Sequence, residues 1–445
     1  MSQSQATPPS GASGESSAES GVTRRGLSRR AFFALTGLGG VAAGAGAYAG
    51  FDALRAGGGS HGHDEDLSYD FYGTHQQGIA TPMQDQMHFA AFDMNRRANR
   101  DDLVELLQDW TYAASRMVLG LDVTVAGAFD GGPYAPPDDT GEARGFGPHG
   151  LTITFGFGKS LFRSDAGDNR FGLASQLPKE FTELGPMAND FMDPARSDGD
   201  LCIQACANDP QVAVHAIRNL TRIAVGKATL RWSQLGFGRA SSTSKEQETP
   251  RNLFGQKDGT NNVKAEDTAV MDEHIWIPAD ASVPALAGGT YLCARRINMT
   301  IEVWDGLRLE EQERVTGRAK GSGAPLSGGE EFTDPDFEAR GDDGALLIDA
   351  RSHVARVHPD NNDGIRMMRR AYNFVDGNDE LGRLNAGLFF VAFVKEPERF
   401  AKVHRSMARD DMFVEYLKTT GSAVFVIPPG IRDGQFIGQQ LFDAS

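Results

Sequence analysis

Leu201-Cys202-Ile203-Gln204-Ala205-Cys206-Ala207-Asn208-Asp209-Pro210 is the stretch from which the fold can be read. Its first seven residues read as a strand. Asp209 followed by Pro210 reads as a helix N-cap with proline at the first helical position, where its missing N–H costs nothing. The helix runs to about Ile223, and a further strand lies around Leu230. Upstream the same order stands: Met87 to Met94 is apolar, Asp101 to Val118 carries apolar residues at helical spacing, and Leu151 to Phe157 alternates. Together these give strand, helix, strand, strand, helix, strand with long insertions, which is the ferredoxin-like arrangement.

The second half repeats the pattern less cleanly. Gly289 to Ile297 reads as a strand, and Asn298 is expected to cap a helix running through Glu313. Gly387 to Val394, a helix from Pro397 and a strand from Ala423 to Pro428 complete the set. A glycine- and acid-rich stretch from Gly321 to Gly344 interrupts it as an expected surface loop. The expected fold class is therefore α+β, with two ferredoxin-like halves, each carrying one antiparallel sheet. The boundary falls between Gly236 and about Thr249, where Ser241-Ser242-Thr243-Ser244 has no core pattern, giving an N-terminal domain over 67–240 and a C-terminal domain over 241–445.

Composition narrows the function. A length of 445 residues suits two domains with sizeable cores, and 40% hydrophobic with 23% charged residues is that of a soluble globular protein. Sixty acidic against 44 basic side chains give a formal charge of -16, which repels phosphate backbones and argues against a nucleic-acid partner. Three cysteines cannot all pair. Cys202 and Cys206 point to one face of their strand with one residue between them, and they read as small buried hydrophobes rather than as a metal or redox pair.

Residues 1 to about 23 fit a disordered leader. Ser28-Arg29-Arg30-Ala31-Phe32-Phe33 then opens an apolar, glycine- and alanine-rich run to Gly50, with Arg24-Arg25 a second basic pair nearby. Consecutive arginines before such a run match the twin-arginine export signal, and Ala47-Tyr48-Ala49 supplies a small-x-small cleavage site. The expectation is a signal peptide over 1–49 read by the twin-arginine machinery, a flexible linker over 50–66, and a mature chain that acts outside the cytoplasm, in the periplasm, the cell envelope or the medium. An uncleaved anchor is the alternative. Because that route moves folded proteins, its use suggests a cofactor inserted before export. His61 and His63 in the linker read as part of a solvated tail rather than a metal site.

The chemistry sits in two further segments. Gly255-Gln256-Lys257-Asp258-Gly259-Thr260 places an aspartate between glycines in a tight loop, which alone is a common turn. Ser352-His353-Val354-Ala355-Arg356-Val357-His358-Pro359 is followed by Met367-Met368-Arg369-Arg370-Ala371-Tyr372. Together with the leader, Phe71-Tyr72-Gly73-Thr74-His75-Gln76-Gln77-Gly78-Ile79, the strand from Met87, Asn252-Leu253-Phe254 and Gly387-Leu388-Phe389-Phe390-Val391-Ala392-Phe393, these segments resemble the secreted dye-decolourising haem peroxidases, the type that includes the bacterial deferrochelatases.

That resemblance implies one haem b per chain in the C-terminal half, with His353 as the axial iron ligand, Asp258 as the distal acid and Arg369 as the distal arginine. It also places Gly259, Thr260 and Asn261 against the haem edge, and Leu388 and Phe390, which share a face of their strand, on the distal wall. An imidazole is a suitable fifth ligand whose other nitrogen a neighbouring acceptor can tune, although the sequence does not name that acceptor. A carboxylate can take and return a proton, and a guanidinium stays cationic and donates to a departing oxygen.

His358, Pro359 and Asp360 are expected beside the haem as well, in a loop that departs from the family pattern, which carries asparagine, proline and arginine there. His353 is preferred to His358 as ligand. Asp360 would repel a haem propionate that arginine would attract, so Arg356, Arg366 or Arg370 is left to take that role. His75, His88, His149, His215, His274 and His404 read as structural or surface residues. Trp110, Trp232, Trp276 and Trp304 read first as core.

The leading expectation is a peroxidase that reduces hydrogen peroxide and oxidises dyes, phenols or another electron donor. Deferrochelatase, which would free iron from haem with the porphyrin intact, and a non-catalytic haem carrier are the alternatives. The sequence leaves the donor and an oligomer open.

Overall fold

The computed structural model describes residues 65–445 except 165, 186, 188 and 189, so the expected signal peptide and nearly all of the linker lie outside the described residues. The first half follows the expected order: β1 (Gln86–Met94), α1 (Arg100–Met117), β2 (Thr152–Gly158), β3 (Leu201–Ala207), α2 (Pro210–Ile223) and β4 (Ala228–Arg239). The strands lie β2-β3-β1-β4 and all pair antiparallel. The decisive stretch folds as read: the Asp209 carboxylate accepts from the backbone N–H of Gln211 at 2.7 Å and of Val212 at 3.2 Å, and Pro210 opens α2. α1 has a capping box at Asn99 and Asp102.

The second half contains β5 (Thr290–Met299), α3 (Ile301–Asp305), α4 (Leu309–Thr316), α5 (His353–Val357), the two-residue β6 (Met368–Arg369), β7 (Tyr372–Asn378), β8 (Leu384–Val394), α6 (Pro397–Asp410) and β9 (Leu417–Ile427). β9, β5, β8 and β7 repeat the ferredoxin-like order of the first half, again antiparallel.

The two sheets join at both edges. Phe157 and Gly158 of β2 pair with Val426 and Phe425 of β9, while Phe237 and Arg239 of β4 pair with Asn373 and Tyr372 of β7. Eight strands thereby close into a ring, which leaves neither sheet the exposed edge that invites aggregation. Inside the ring, Phe89 contacts Trp232, Phe389 and Phe425 at centroid distances of 5.2, 5.2 and 6.1 Å. Cys202 and Cys206 are buried in this interior core, as small hydrophobes would be. Alternate residues Leu201, Ile203 and Ala205 face outward into the core made with α1 and α2.

Three expectations change. Asn298 caps no helix: β5 continues to Met299, which pairs with Leu417, and the Asn298 side chain bonds Asn385 and Arg296. Two short helices replace the expected long one, separated by Gly306 to Arg308. Ser241 to Ser244 are all buried, so the segment between the halves is wedged into the molecule, and the Cα of Ser241 would lie 3.0 Å from a Cβ placed on Gly259. The stretch from Gly321 to Gly344 is mostly exposed, yet Gly323, Ala324 and Pro325 are buried and Glu331 turns inward.

Candidate active site

A cavity of about 1620 Å³, including its open mouth, lies within the second half. Strand residues Ile297, Leu388 and Phe390 form one apolar wall, and Val354, Val357 and Met407 from the helices supply more. Asp258, Arg369 and His353, far apart in sequence, all line it.

His353 opens α5. Its Nδ1 lies 2.8 Å from Oδ2 of Asp411, whose side chain is fully buried. Asp411 Oδ1 accepts from the backbone N–H of Phe413 at 2.9 Å, so the carboxylate is fixed from two sides. The Phe413 ring packs 4.7 Å from the imidazole. With the proton directed to Nδ1 by the carboxylate, Nε2 keeps its lone pair, and it has no hydrogen-bond partner among the described residues.

Asp258 stands in a loop whose glycines, Gly255 and Gly259, have φ of 75° and 94°, which side chains rarely adopt. Its Oδ1 accepts from Arg369 Nη1 at 2.9 Å and its Oδ2 from Asn252 Nδ2 at 3.2 Å. Arg369 is held through its backbone: its N–H donates to Asn262 Oδ1 at 2.7 Å and its carbonyl accepts from Asn262 Nδ2 at 2.8 Å. Asn262 also donates to the Ser242 carbonyl at 2.9 Å, which ties the buried serine segment to the site.

Of the other expected contacts, Gly259, Thr260, Asn261, His358, Pro359, Leu388 and Phe390 line the cavity. Asp360 does not: its side chain is 74% exposed beside His358, because the 3-10 turn over Pro359–Asn361 points it to solvent. His358 packs on Phe337 and accepts from the Asp360 N–H, and burial pushes its pKa down. Among the three arginines left for an anionic partner, Arg356 is paired with Asp410, and Arg370 is fully buried on the carbonyls of Thr81 and Pro82 and on Gln84. Arg366 lines the cavity and has no hydrogen-bond or ion-pair partner among the described residues.

Several site residues were not anticipated. Asp411 was not singled out, and Asn252 was noted only as part of the segment that carries the resemblance. His404, expected to be structural or on the surface, lines the cavity, and burial with Arg295 nearby lowers its pKa to about 3, so it is neutral. Arg318 lines it too, donating to the carbonyls of Gly323 and Glu331 at 2.8 and 2.9 Å. The other described histidines stay apart from the cavity: His75 stacks on Trp276, and desolvation lowers the pKa of His88 to about 4. No cluster of three metal-ligating side chains occurs among the described residues.

The donor set fits haem. One imidazole with a free Nε2 and its other nitrogen tied to a carboxylate is a haem ligand's arrangement, the walls are apolar, and Arg366 offers an unpaired cation to an acidic substituent. An all-protein metal site would need more ligands than His353 supplies.

Comparison with known proteins agrees. Residues 76–238 match the family model for the N-terminal part of the Dyp-type peroxidases, and 249–432 match that for the C-terminal part. The deferrochelatase of Escherichia coli K12 is 34% identical over 375 residues, covering 83% of this chain and 86% of the relative. Among solved structures, a DyP-type peroxidase from Streptomyces coelicolor is 37% identical with a TM-score of 0.78, covering 86% of this chain and 99% of that one. Ferric DtpA from Streptomyces lividans is likewise 37% identical with a TM-score of 0.78, covering 87% and 100%.

Proposed function

The chain belongs to the Dyp-type peroxidase family, and on that premise we propose that it is a haem peroxidase in which His353 holds the iron and Asp258 with Arg369 works on peroxide. The observation that carries this reading is the convergence on one apolar cavity of two charge-assisted pairs, His353 with Asp411 at 2.8 Å and Arg369 with Asp258 at 2.9 Å.

Haem bound in this cavity would supply the redox chemistry that links the two oxidising equivalents of peroxide to a donor. Asp258, held by Asn252 on one oxygen and Arg369 on the other, would take a proton from one oxygen of hydrogen peroxide and return it to the other, which leaves as water. Arg369 directs N–H donors at that departing oxygen while staying cationic. His353 would hold the iron through Nε2, while Asp411 keeps the ring oriented and electron-rich. Arg366, which lines the cavity while Asp360 points to solvent, would hold an anionic substituent of the haem.

We further infer export by the twin-arginine route from Ser28-Arg29-Arg30 and the apolar run behind it, and a division of the folded part near residue 240. The deferrochelatase reading is kept as a second one because the curated relatives that cover 83% of this chain carry that name.

Peroxide added to the haem-loaded protein is expected to change the Soret band within seconds and to oxidise a dye. His353→Ala should load haem poorly. Asp258→Ala and Arg369→Leu should keep haem and react on the order of 10²-fold more slowly. Full haem loading by the first variant, or parental rates in the other two, would remove the assignments. Metal-free porphyrin fluorescence appearing from supplied haem would favour the second reading.

A further inference from the structure

The glycine- and acid-rich segment that follows α4 is interlocked with the loop that carries Asp258. Arg251 donates to the carbonyls of Gly255 at 2.7 Å, Lys320 at 2.7 Å and Gly321 at 2.8 Å, bridging the two segments. Arg318 pins the far segment at Gly323 and at the backbone of Glu331. The Glu331 side chain, only 12% exposed, then reaches back over 70 residues: Oε2 accepts from Lys257 Nζ, and Oε1 accepts from the Thr260 hydroxyl at 3.3 Å. Thr249 adds a third donor.

Lys257 and Thr260 flank Asp258-Gly259. One carboxylate therefore grips the turn from both sides while the Asp258 carboxylate points the other way, to Asn252 and Arg369. We infer that Glu331 is a positioning residue for the distal acid: it fixes the orientation of Asp258 through Lys257 and Thr260, and it neutralises the ammonium charge next to it. This rests on the reading of Asp258 as the distal acid.

The charge balance around the turn makes the second role specific. Lys257 comes from the turn itself, Arg369 from β6, Arg318 from the segment after α4, and Lys264 from beyond Asn262, against Asp258 and Glu331. Arg318 spends its guanidinium on carbonyls and Lys264 donates to the Ser242 carbonyl, so Lys257 is the cation that Glu331 answers. Burial pushes the Glu331 carboxyl up, but the bonds from Lys257, Thr249 and Thr260 outweigh it and hold it below the usual carboxylate range. It is ionised whenever the enzyme works near neutrality.

The sign follows. Removing the Glu331 charge leaves an unpaired ammonium beside Asp258, which favours the ionised acid, so the pH below which the peroxide reaction fails moves down. Removing the Lys257 charge instead leaves an unpaired carboxylate and moves that pH up.

The test uses the haem-loaded protein, following the peroxide-driven Soret change against pH, together with amide hydrogen exchange over residues 249–262 with and without haem. Glu331→Gln is expected to slow the reaction about tenfold at neutral pH, to lower the acid limb by about one pH unit, and to speed exchange in the turn. Lys257→Met should raise the limb, the double variant should restore its position without restoring the rate, and Glu331→Asp should recover part of both. Parental rate, limb and exchange in Glu331→Gln would overturn the inference, as would limbs that fail to move in opposite directions in the two single variants. Asp258→Ala measured alongside separates the two readings: a parental rate there defeats the distal-acid assignment itself, whereas a slowed Asp258→Ala with an unaffected Glu331→Gln defeats only this one.

Discussion

His353, Asp258 and Arg369 were singled out through the resemblance, whereas the residues that hold His353 and Arg369 come from far along the chain. Asp411 lies 58 residues after His353, and Asn262 lies 107 before Arg369. No periodicity or spacing links such pairs, since only the closed fold brings them within hydrogen-bond reach. The Asp360 departure was legible as a charge reversal, but the turn that directs it to solvent was not. Asp411 itself offers a residue-scale prediction. Its buried carboxylate both orients the imidazole and makes it a stronger electron donor, and a neutral amide of the same shape retains the first role and loses most of the second. Asp411→Asn is expected to bind haem on the order of tenfold more weakly and to raise the iron reduction potential. A spectroelectrochemical titration checks this, and an unchanged potential would show that the carboxylate only positions the ring.

At the scale of elements, the sequence is most informative where capping chemistry and hydrophobic period agree. Asp209-Pro210 agrees with the apolar spacing that follows it, and α2 begins and ends as read. Asn298 shows the opposite case. Asparagine favours caps only when the backbone N–H groups beyond it lack partners, and here β5 keeps its pairing with β9 through Met299. β7 escaped notice because only Tyr372 to Phe374 are buried, a run too short to signal a strand, while Val375 to Asn378 are exposed. The acid-rich segment after α4 was read as a surface loop from composition, yet one inward glutamate ties it to the turn bearing Asp258. The capping argument can be measured. Asp209→Ala removes acceptors from two N–H groups at the start of α2 and should cost about 1 kcal/mol in denaturant unfolding, while Asp209→Asn should cost less. Equal losses would mean that the helix start is held by Pro210 and tertiary packing.

For the whole molecule, the repeat of one fold was visible in sequence, but the closure of its two sheets into a ring was not, because edge pairing between distant strands leaves no local trace. Closure decides how the molecule should unfold. β2 and β4 each meet a strand of the other half, Phe89 and Trp232 of the first half pack on Phe389 of the second, and Gln76 donates to the Pro428 carbonyl at 3.0 Å. Arg370, next in sequence to Arg369, is anchored on Thr81, Pro82 and Gln84 of the first half. Each aromatic pair across the ring is worth about 1 kcal/mol beyond its burial, and cutting the chain near residue 240 would lose them all while exposing two strand edges. The halves are therefore expected to behave as one cooperative unit. Far-UV circular dichroism and Soret absorbance should be lost in a single coincident thermal transition, and a fragment spanning 65–240 should aggregate or remain unfolded when expressed alone. Two separated transitions, or a soluble and protected 65–240 fragment, would show that the seams at β2–β9 and β4–β7 contribute little and that the cavity depends on the second half alone.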